Sequence, residues 1–281
     1  MILGAAQDGG YPQAGCIKDC CMQHYQGKTQ LSYPTCLALS DNSANKVWFF
    51  ECTPGFANQW QNWKNSSGKN DKAHPDGFFL THAHVGHYAG LINLGREIMG
   101  TQHVPVFVLP KMFDFLSNNG PWSQLVALEN IALNSMKADS AIELNAKISV
   151  TPFVVPHRDE FSETAGFKIN INGKNVLFIP DIDKWQKWDR SILKEIEACD
   201  QAFLDATFFK NGELNRDMSE IPHPFVEESM KLFEGLSATN KDKVWFIHFN
   251  HTNPLLFDAK AQELVEKLGF HVAKMGDKFE F

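Results

Sequence analysis

The strongest constraint on this chain is the run Thr-His-Ala-His-Val-Gly-His at residues 81–87, which gathers three of its eleven histidines into six positions. It follows an apolar strand-like stretch, Gly77–Leu80, and leads into a helix-like one. Alternate residues of an extended backbone point to the same side, so the imidazoles of His82 and His84 can reach one ion. His87, three residues on, faces a neighbouring position as the chain turns helical. Packing does not account for such crowding, whereas neutral imidazole is a preferred ligand of zinc and similar divalent ions.

The rest of the chain repeats the theme. Strand-like runs fall at 46–52, 77–82, 104–110, 147–155, 167–172, 175–181, 201–206, 243–249 and 270–276, with a hairpin turn at Asn172–Lys174. Helix-like stretches lie between them, at about 88–99, 110–117, 121–132, 186–198, 223–236 and 257–268. Four strand ends carry ligand-type residues: His82, His157, Asp181, and His248 with His251 close behind. Several protein ligands with a position left open for water make a catalytic rather than a structural site. Isolated histidines such as His24, His74, His103 and His271 are read as ordinary hydrogen-bonded residues.

Composition narrows the class. A chain of 281 residues, 43% hydrophobic and 21% charged, builds one α/β domain over its whole length. The net charge of −7 is spread along the sequence, which leaves no basic stripe for generic nucleic-acid binding. No apolar run is long enough to span a bilayer. The start, Met-Ile-Leu-Gly, reads as the end of a first strand, either naturally abrupt or following a removed leader, so no single compartment is assigned: cytoplasmic, or periplasmic if a leader has been removed. The partner expected is a small molecule, and no oligomeric state is assigned. Cys36, Cys52 and Cys199 are scattered and read as buried thiols. Cys16, Cys20 and Cys21 crowd one polar loop. Three thiolates are suited to a closed structural zinc site, for which His24 is the local fourth ligand. Trp60, Trp63, Trp122, Trp185 and Trp188 are read as packing residues.

The run "THAHVGHYAGL", followed in order by His157, Asp181 and His248, resembles the metallo-β-lactamase fold superfamily, with its His-x-His-x-Asp-His signature and three later ligands. "LGAAQDGGYPQAGC", "FIHFNHTNP", "ATFF" and "IPHP" are similar to the branch of pyrroloquinoline quinone biosynthesis B proteins, with the carbon–phosphorus lyase accessory phosphodiesterases more distant. The resemblance implies a four-layer αββα sandwich with a metal site at one edge between the sheets. It implies His82, His84 and His157 at a first ion, His87 and His248 at a second, and Asp181 bridging, with His251 competing with His248. Asp181, His87 and His248 form the implied catalytic group. Glu51 stands where the superfamily has an aspartate that supports a histidine. The resemblance also offers His223 of "IPHP" as the fourth ligand of the cysteine site, beside the local His24, around residues 7–36.

One position departs from the signature. Gly86 replaces its aspartate, which implies one tightly held ion and a second, weaker one: zinc, or alternatively Fe(II) or Mn(II). The expected chemistry is hydrolysis of an ester, phosphodiester or amide by a metal-activated water, with Asp181 orienting it. Two other classes stand beside it: an oxidative step in quinone cofactor synthesis, and a non-catalytic ligand-binding role.

Overall fold

The computed structural model describes residues 1–281 as two sheets with helices on both outer faces. The first sheet runs in sequence order through β1 (Ile2–Gly4), β2 (Cys36–Asp41), β3 (Lys46–Phe50), β4 (Gly77–Phe79), β5 (Val104–Val108) and β6 (Ile131–Ser135). The second has the order β13-β12-β11-β10-β9-β8-β7, from β7 (Ile142–Asn145), β8 (Ile148–Val155), β9 (Thr164–Ile171), β10 (Lys174–Ile179), β11 (Gln201–Asp205) and β12 (Val244–Ile247) to β13 (His271–Val272). Helices α1 (Asp19–Tyr25), α2 (Phe56–Ser67), α3 (Val85–Tyr88), α4 (Pro110–Asn118) and α5 (Trp122–Ala127) belong to the first half, and α6 (Ile192–Ala198), α7 (Val226–Leu232), α8 (Ala238–Lys241) and α9 (Ala259–Lys267) to the second.

Phenylalanines join the two sheets. Phe50 and Phe79 of the first meet Phe167 and Phe178 of the second, with Phe50 edge-on to Phe167 at 5.4 Å and to Phe178 at 6.1 Å between ring centres. All four are fully buried, each contributing about 1.5–3 kcal/mol relative to exposure. The outer face of the first sheet is covered by α2, whose Trp60 and Trp63 stack at 4.9 Å. Trp185 and Trp188 are buried as well. The β9–β10 hairpin turns through Asn172 and Gly173, both at positive φ (54° and 83°), with Ile171 opposite Lys174. That geometry is the two-residue turn an Asn-Gly pair selects.

Strand direction positions the site. β3 and β4 are parallel, as are β10, β11 and β12. β8 runs the same way as β10, because each is antiparallel to β9 between them. The carboxyl ends of these strands therefore open on one edge of the sandwich, where parallel sheets generally present their binding groups.

Candidate metal centre

Asp181, just beyond β10, is the hub of that edge. Its Oδ2 lies 3.4 Å from His82 Nε2, 3.6 Å from His87 Nε2 and 3.9 Å from His248 Nε2. Its Oδ1 lies 3.3 Å from His157 Nε2 and 3.2 Å from His223 Nδ1. His84 joins through His82, with His84 Nδ1 2.7 Å from His82 Nε2. One ligand atom from each of His82, His84, His157 and Asp181 falls within a mutual 4.8 Å, as does one from each of Asp181, Asp205, His223 and His248.

Each sheet adds a buried carboxylate and a threonine that aim two imidazoles. From the first, Thr81 Oγ1 donates to Glu51 Oε1 (2.6 Å) and accepts from His82 Nδ1 (2.8 Å), while His87 Nδ1 donates to Glu51 Oε1 (3.1 Å). From the second, Thr207 Oγ1 donates to Asp205 Oδ1 (2.7 Å) and accepts from His248 Nδ1 (2.9 Å), while His223 Nδ1 donates to Asp205 Oδ2 (2.9 Å). A carboxylate only accepts, so these contacts fix a proton on Nδ1 and turn Nε2 of His82, His87 and His248 towards the centre, where His87 Nε2 meets Asp8 Oδ1 at 3.1 Å. Glu51 and His248 are both held in the left-handed region, at φ 80° and 69°. Non-glycine residues persist there only where their surroundings impose it, at a cost of about 1–3 kcal/mol each.

Both ring nitrogens of His157, Asp181 Oδ1 and His248 Nε2 are buried without a hydrogen-bond partner. Each such atom costs roughly 1–3 kcal/mol if left so, and native proteins leave few. Three of them, His157 Nε2, Asp181 Oδ1 and His248 Nε2, belong to the same imidazole and carboxylate cluster, a set that fits divalent metal ions. Burial draws His157 down to about 4, and burial with the neighbouring His87 holds His82 well below the usual range. Both rings are thus neutral, as ligation requires. Burial would raise Asp181, yet His157 and His223 hold it well below the usual carboxylate range. His87 and His223 go the other way against burial. Glu51 and Asp8 raise His87 well above its ordinary value, and Asp205 and Asp181 raise His223 to about 9.

Gly86 does not leave the gap that the signature implies. A Cβ built on it would stand 2.4 Å from the Cα of Asp8 and 2.5 Å from Asp8 Oδ1. The Asp8 carboxylate occupies the space itself, with Oδ1 3.1 Å from His87 Nε2 and 3.7 Å from His248 Nε2. A carboxylate from elsewhere in the chain thus stands beside the two imidazoles that were expected to lack one.

The assignment of His223 to the cysteine loop is corrected, since that residue faces Asp181 and Asp205. His24 is not the fourth member either; its Nδ1 pairs with the Thr29 carbonyl at 3.0 Å. His251 takes the place, with Nδ1 3.3 Å from Cys21 Sγ and 3.7 Å from Cys20 Sγ. This overturns its candidacy at the Asp181 centre, where His248 stands. One atom from each of Cys16, Cys20, Cys21 and His251 lies within a mutual 4.8 Å, a donor set suited to a closed zinc site. Cys36, Cys52 and Cys199 are free and buried elsewhere.

Residues 48–249 match the β-lactamase superfamily domain. The chain belongs to the β-lactamase superfamily. Within the superfamily it is 23% identical to the coenzyme PQQ synthesis protein B of Rhizobium meliloti strain 1021, across 98% of this chain and 95% of that one. It is 26% identical to the corresponding protein of Acinetobacter baylyi, across 91% and 90%. Among solved structures, Zn(2+)-bound PqqB from Methylobacterium extorquens superposes with a TM-score of 0.84 at 21% identity, covering 100% of this chain and 99% of that one. A diphosphatase from the PhnP family gives 0.71 at 19%, covering 100% and 96%. The metallo-β-lactamase fold is thereby established for this superfamily member.

Asp205, Thr207, Asp8 and Thr81, all polar residues at this superfamily site, escaped the sequence reading. Asp205 ends its strand as Asp181 nearly does, in "FLDAT", and that parallel was the available signal. Thr207 lies two residues on, within the same resembling segment. Asp8 sits in "AQDGG", where only a turn was legible, because nothing local shows that this turn crosses to residue 86. A cavity of about 690 Å³ lies elsewhere, lined by Leu37, Ile148, Ile169, Phe203 and Phe279. It holds none of these ligand-type residues.

Proposed function

We propose that this superfamily member is a PqqB-like, metal-dependent hydrolase acting on an ester, phosphodiester or amide bond of a small molecule. The observation that carries the reading is the convergence of three buried, unpartnered ligand atoms, His157 Nε2, Asp181 Oδ1 and His248 Nε2. In this reading His82, His84 and His157 hold one ion, His87 and His248 a second, and Asp181 lies between. When bound, such ions polarise a carbonyl or phosphoryl oxygen and make water nucleophilic at neutral pH.

The chain's own groups supply position and protons. Asp181 Oδ1 is buried without a hydrogen-bond partner at the centre, so this carboxylate is free to accept a proton from, and orient, an attacking water. His223, aimed by Asp205 through Nδ1, keeps Nε2 free of protein partners and is placed to give a proton to a leaving group. Arg158 Nη2 stands 3.3 Å from His84 Nε2 at the exposed mouth, where a cation favours an anionic substrate. The fold shared with the PhnP-family diphosphatase supports including phosphodiesters among the substrates tried.

A second reading, oxidation during quinone cofactor synthesis, is favoured by the near full-length similarity to coenzyme PQQ synthesis B proteins, because imidazole and carboxylate ligands also suit Fe(II). Anaerobic purification followed by metal analysis and assay separates the two. Zinc or manganese with turnover of a nitrophenyl phosphodiester or ester supports hydrolysis. Iron with oxygen consumption and no hydrolysis of such substrates overturns it in favour of the second reading.

In the cysteine loop we propose a structural zinc on Cys16, Cys20, Cys21 and His251. The loop otherwise has only a small core of its own, with Ala6, Tyr11 and Cys21 buried together, so ligation would supply folding energy.

A further inference from the structure

We infer that Asp8 supplies to the second ion the carboxylate that Gly86 withholds, delivered from a loop tied to the cysteine cluster. The inference rests on the metal reading above and adds a ligand to it. The second position then has two imidazoles, His87 and His248, and two carboxylates, Asp8 and Asp181, a hard and anionic set suited to a divalent ion.

Three observations build the site. Asp8 Oδ1 is within 3.1 Å of His87 Nε2 and 3.7 Å of His248 Nε2, the two nitrogens that Glu51 and Thr207 turn towards the centre. His248 Nε2 is buried and unpartnered, so an ion between it and Asp8 would satisfy both. Gly86 permits the approach, because any larger residue would overlap the Asp8 backbone.

Backbone pairing sets the position of Asp8. Gln7 N donates to the Phe249 carbonyl (2.7 Å) and Phe249 N to the Ala5 carbonyl (2.8 Å), which places Asp8 beside His248. Beyond Asp8 the loop is held by the cysteine cluster: Tyr11 Oη donates to the Cys20 carbonyl (2.6 Å), and Gln13 N to Cys21 Sγ (3.4 Å). His251 closes that cluster two residues after Phe249. The loop is thus fastened at both ends to the segment that carries His248, and Asp8 has little freedom to leave. An ion pair with His87 would be the simpler role for Asp8, but it leaves His248 Nε2 unsatisfied.

The test is calorimetric titration of Mn(II) into the metal-stripped full chain, in wild type, Asp8→Asn and Asp8→Glu, with folding followed by circular dichroism. Wild type is expected to take two ions at the histidine cluster. Asp8→Asn is expected to weaken the second at least about tenfold, since even groups that only support a ligand act on that scale, and Asp8→Glu to recover part of it. Two ions bound within twofold of wild-type affinity by Asp8→Asn would overturn the inference while leaving the metal centre standing. A wild-type cluster that takes one ion overturns it too, whereas a cluster that takes none overturns the metal reading itself. Anomalous diffraction from wild-type crystals soaked in Mn(II) needs no variant. A peak at bonding distance from Asp8 Oδ1 supports the inference, and a cluster whose peaks all lie beyond about 4 Å from that atom contradicts it.

Discussion

The Cα of Asp8 lies 2.4 Å from the point where a side chain on Gly86 would begin. Two residues 78 positions apart thus share one small volume, and the carboxylate comes from the N-terminal loop rather than the histidine motif. The local sequence around residue 86 shows only a missing acid.

Gly86→Ala should be destabilising, because the new methyl overlaps backbone rather than the far end of a flexible side chain. Overpacking of this kind costs about 1–3 kcal/mol. Thermal unfolding is expected to shift down, and affinity for the second ion to fall with it. An unchanged melting temperature would show that the Asp8 loop yields freely. Gly86→Asp should behave worse, which reverses the gain of metal that a simple missing-ligand view expects.

Asp205→Asn should weaken the Asp181 centre without touching a proposed ligand. Asp205 is fully buried and holds His223 directly and His248 through Thr207. Losing one carboxylate oxygen frees both rings to turn, and metal affinity is expected to drop by about 10–100-fold. Glu51→Gln should act likewise on His82 and His87. Competition with a fluorescent chelator measures both, and affinities within twofold of wild type would contradict the orienting role.

Cys20→Ser should release one zinc and lower thermal stability, because the loop loses a metal clamp. The histidine centre should keep its own metal, although Asp8 lies on the same loop and the second ion should bind more weakly. Unchanged zinc content and melting temperature together would rule out the cysteine site.

Much of the architecture was legible because its signals are local. β-Branched and aromatic runs marked nine strands, and Asn172–Gly173 marked the hairpin. Six elements were not read, among them α1 in the cysteine loop and the single turn α8. β2 looks polar in its second half, at Ser40 and Asp41, and α2, "FANQWQNWKNSS", carries too few aliphatic residues to announce a helix although its Trp60 and Trp63 cover the first sheet. The expected helix over 121–132 stops at Ala127, and Ile131–Ser135 pairs with β5 instead, since tertiary pairing overrides local propensity. β7 lies in a stretch with no strong pattern. At the site, His82, His84, His87, His157, Asp181 and His248 were readable as strand-end ligand types. His223 and His251 were exchanged between the two clusters because sequence order does not reveal which strand ends meet. The third dimension separates them: His248 and His251 follow the same strand yet face different clusters.

The central claim is that the residues around Asp181 hold metal independently of the cysteines. Elemental analysis of protein purified without added metal, in wild type, Cys20→Ser and His157→Ala, tests it most directly. The expected result is metal in wild type beyond the one equivalent lost in Cys20→Ser, with that remainder reduced in a folded His157→Ala. Wild type holding no more than the single equivalent that Cys20→Ser removes would contradict the account.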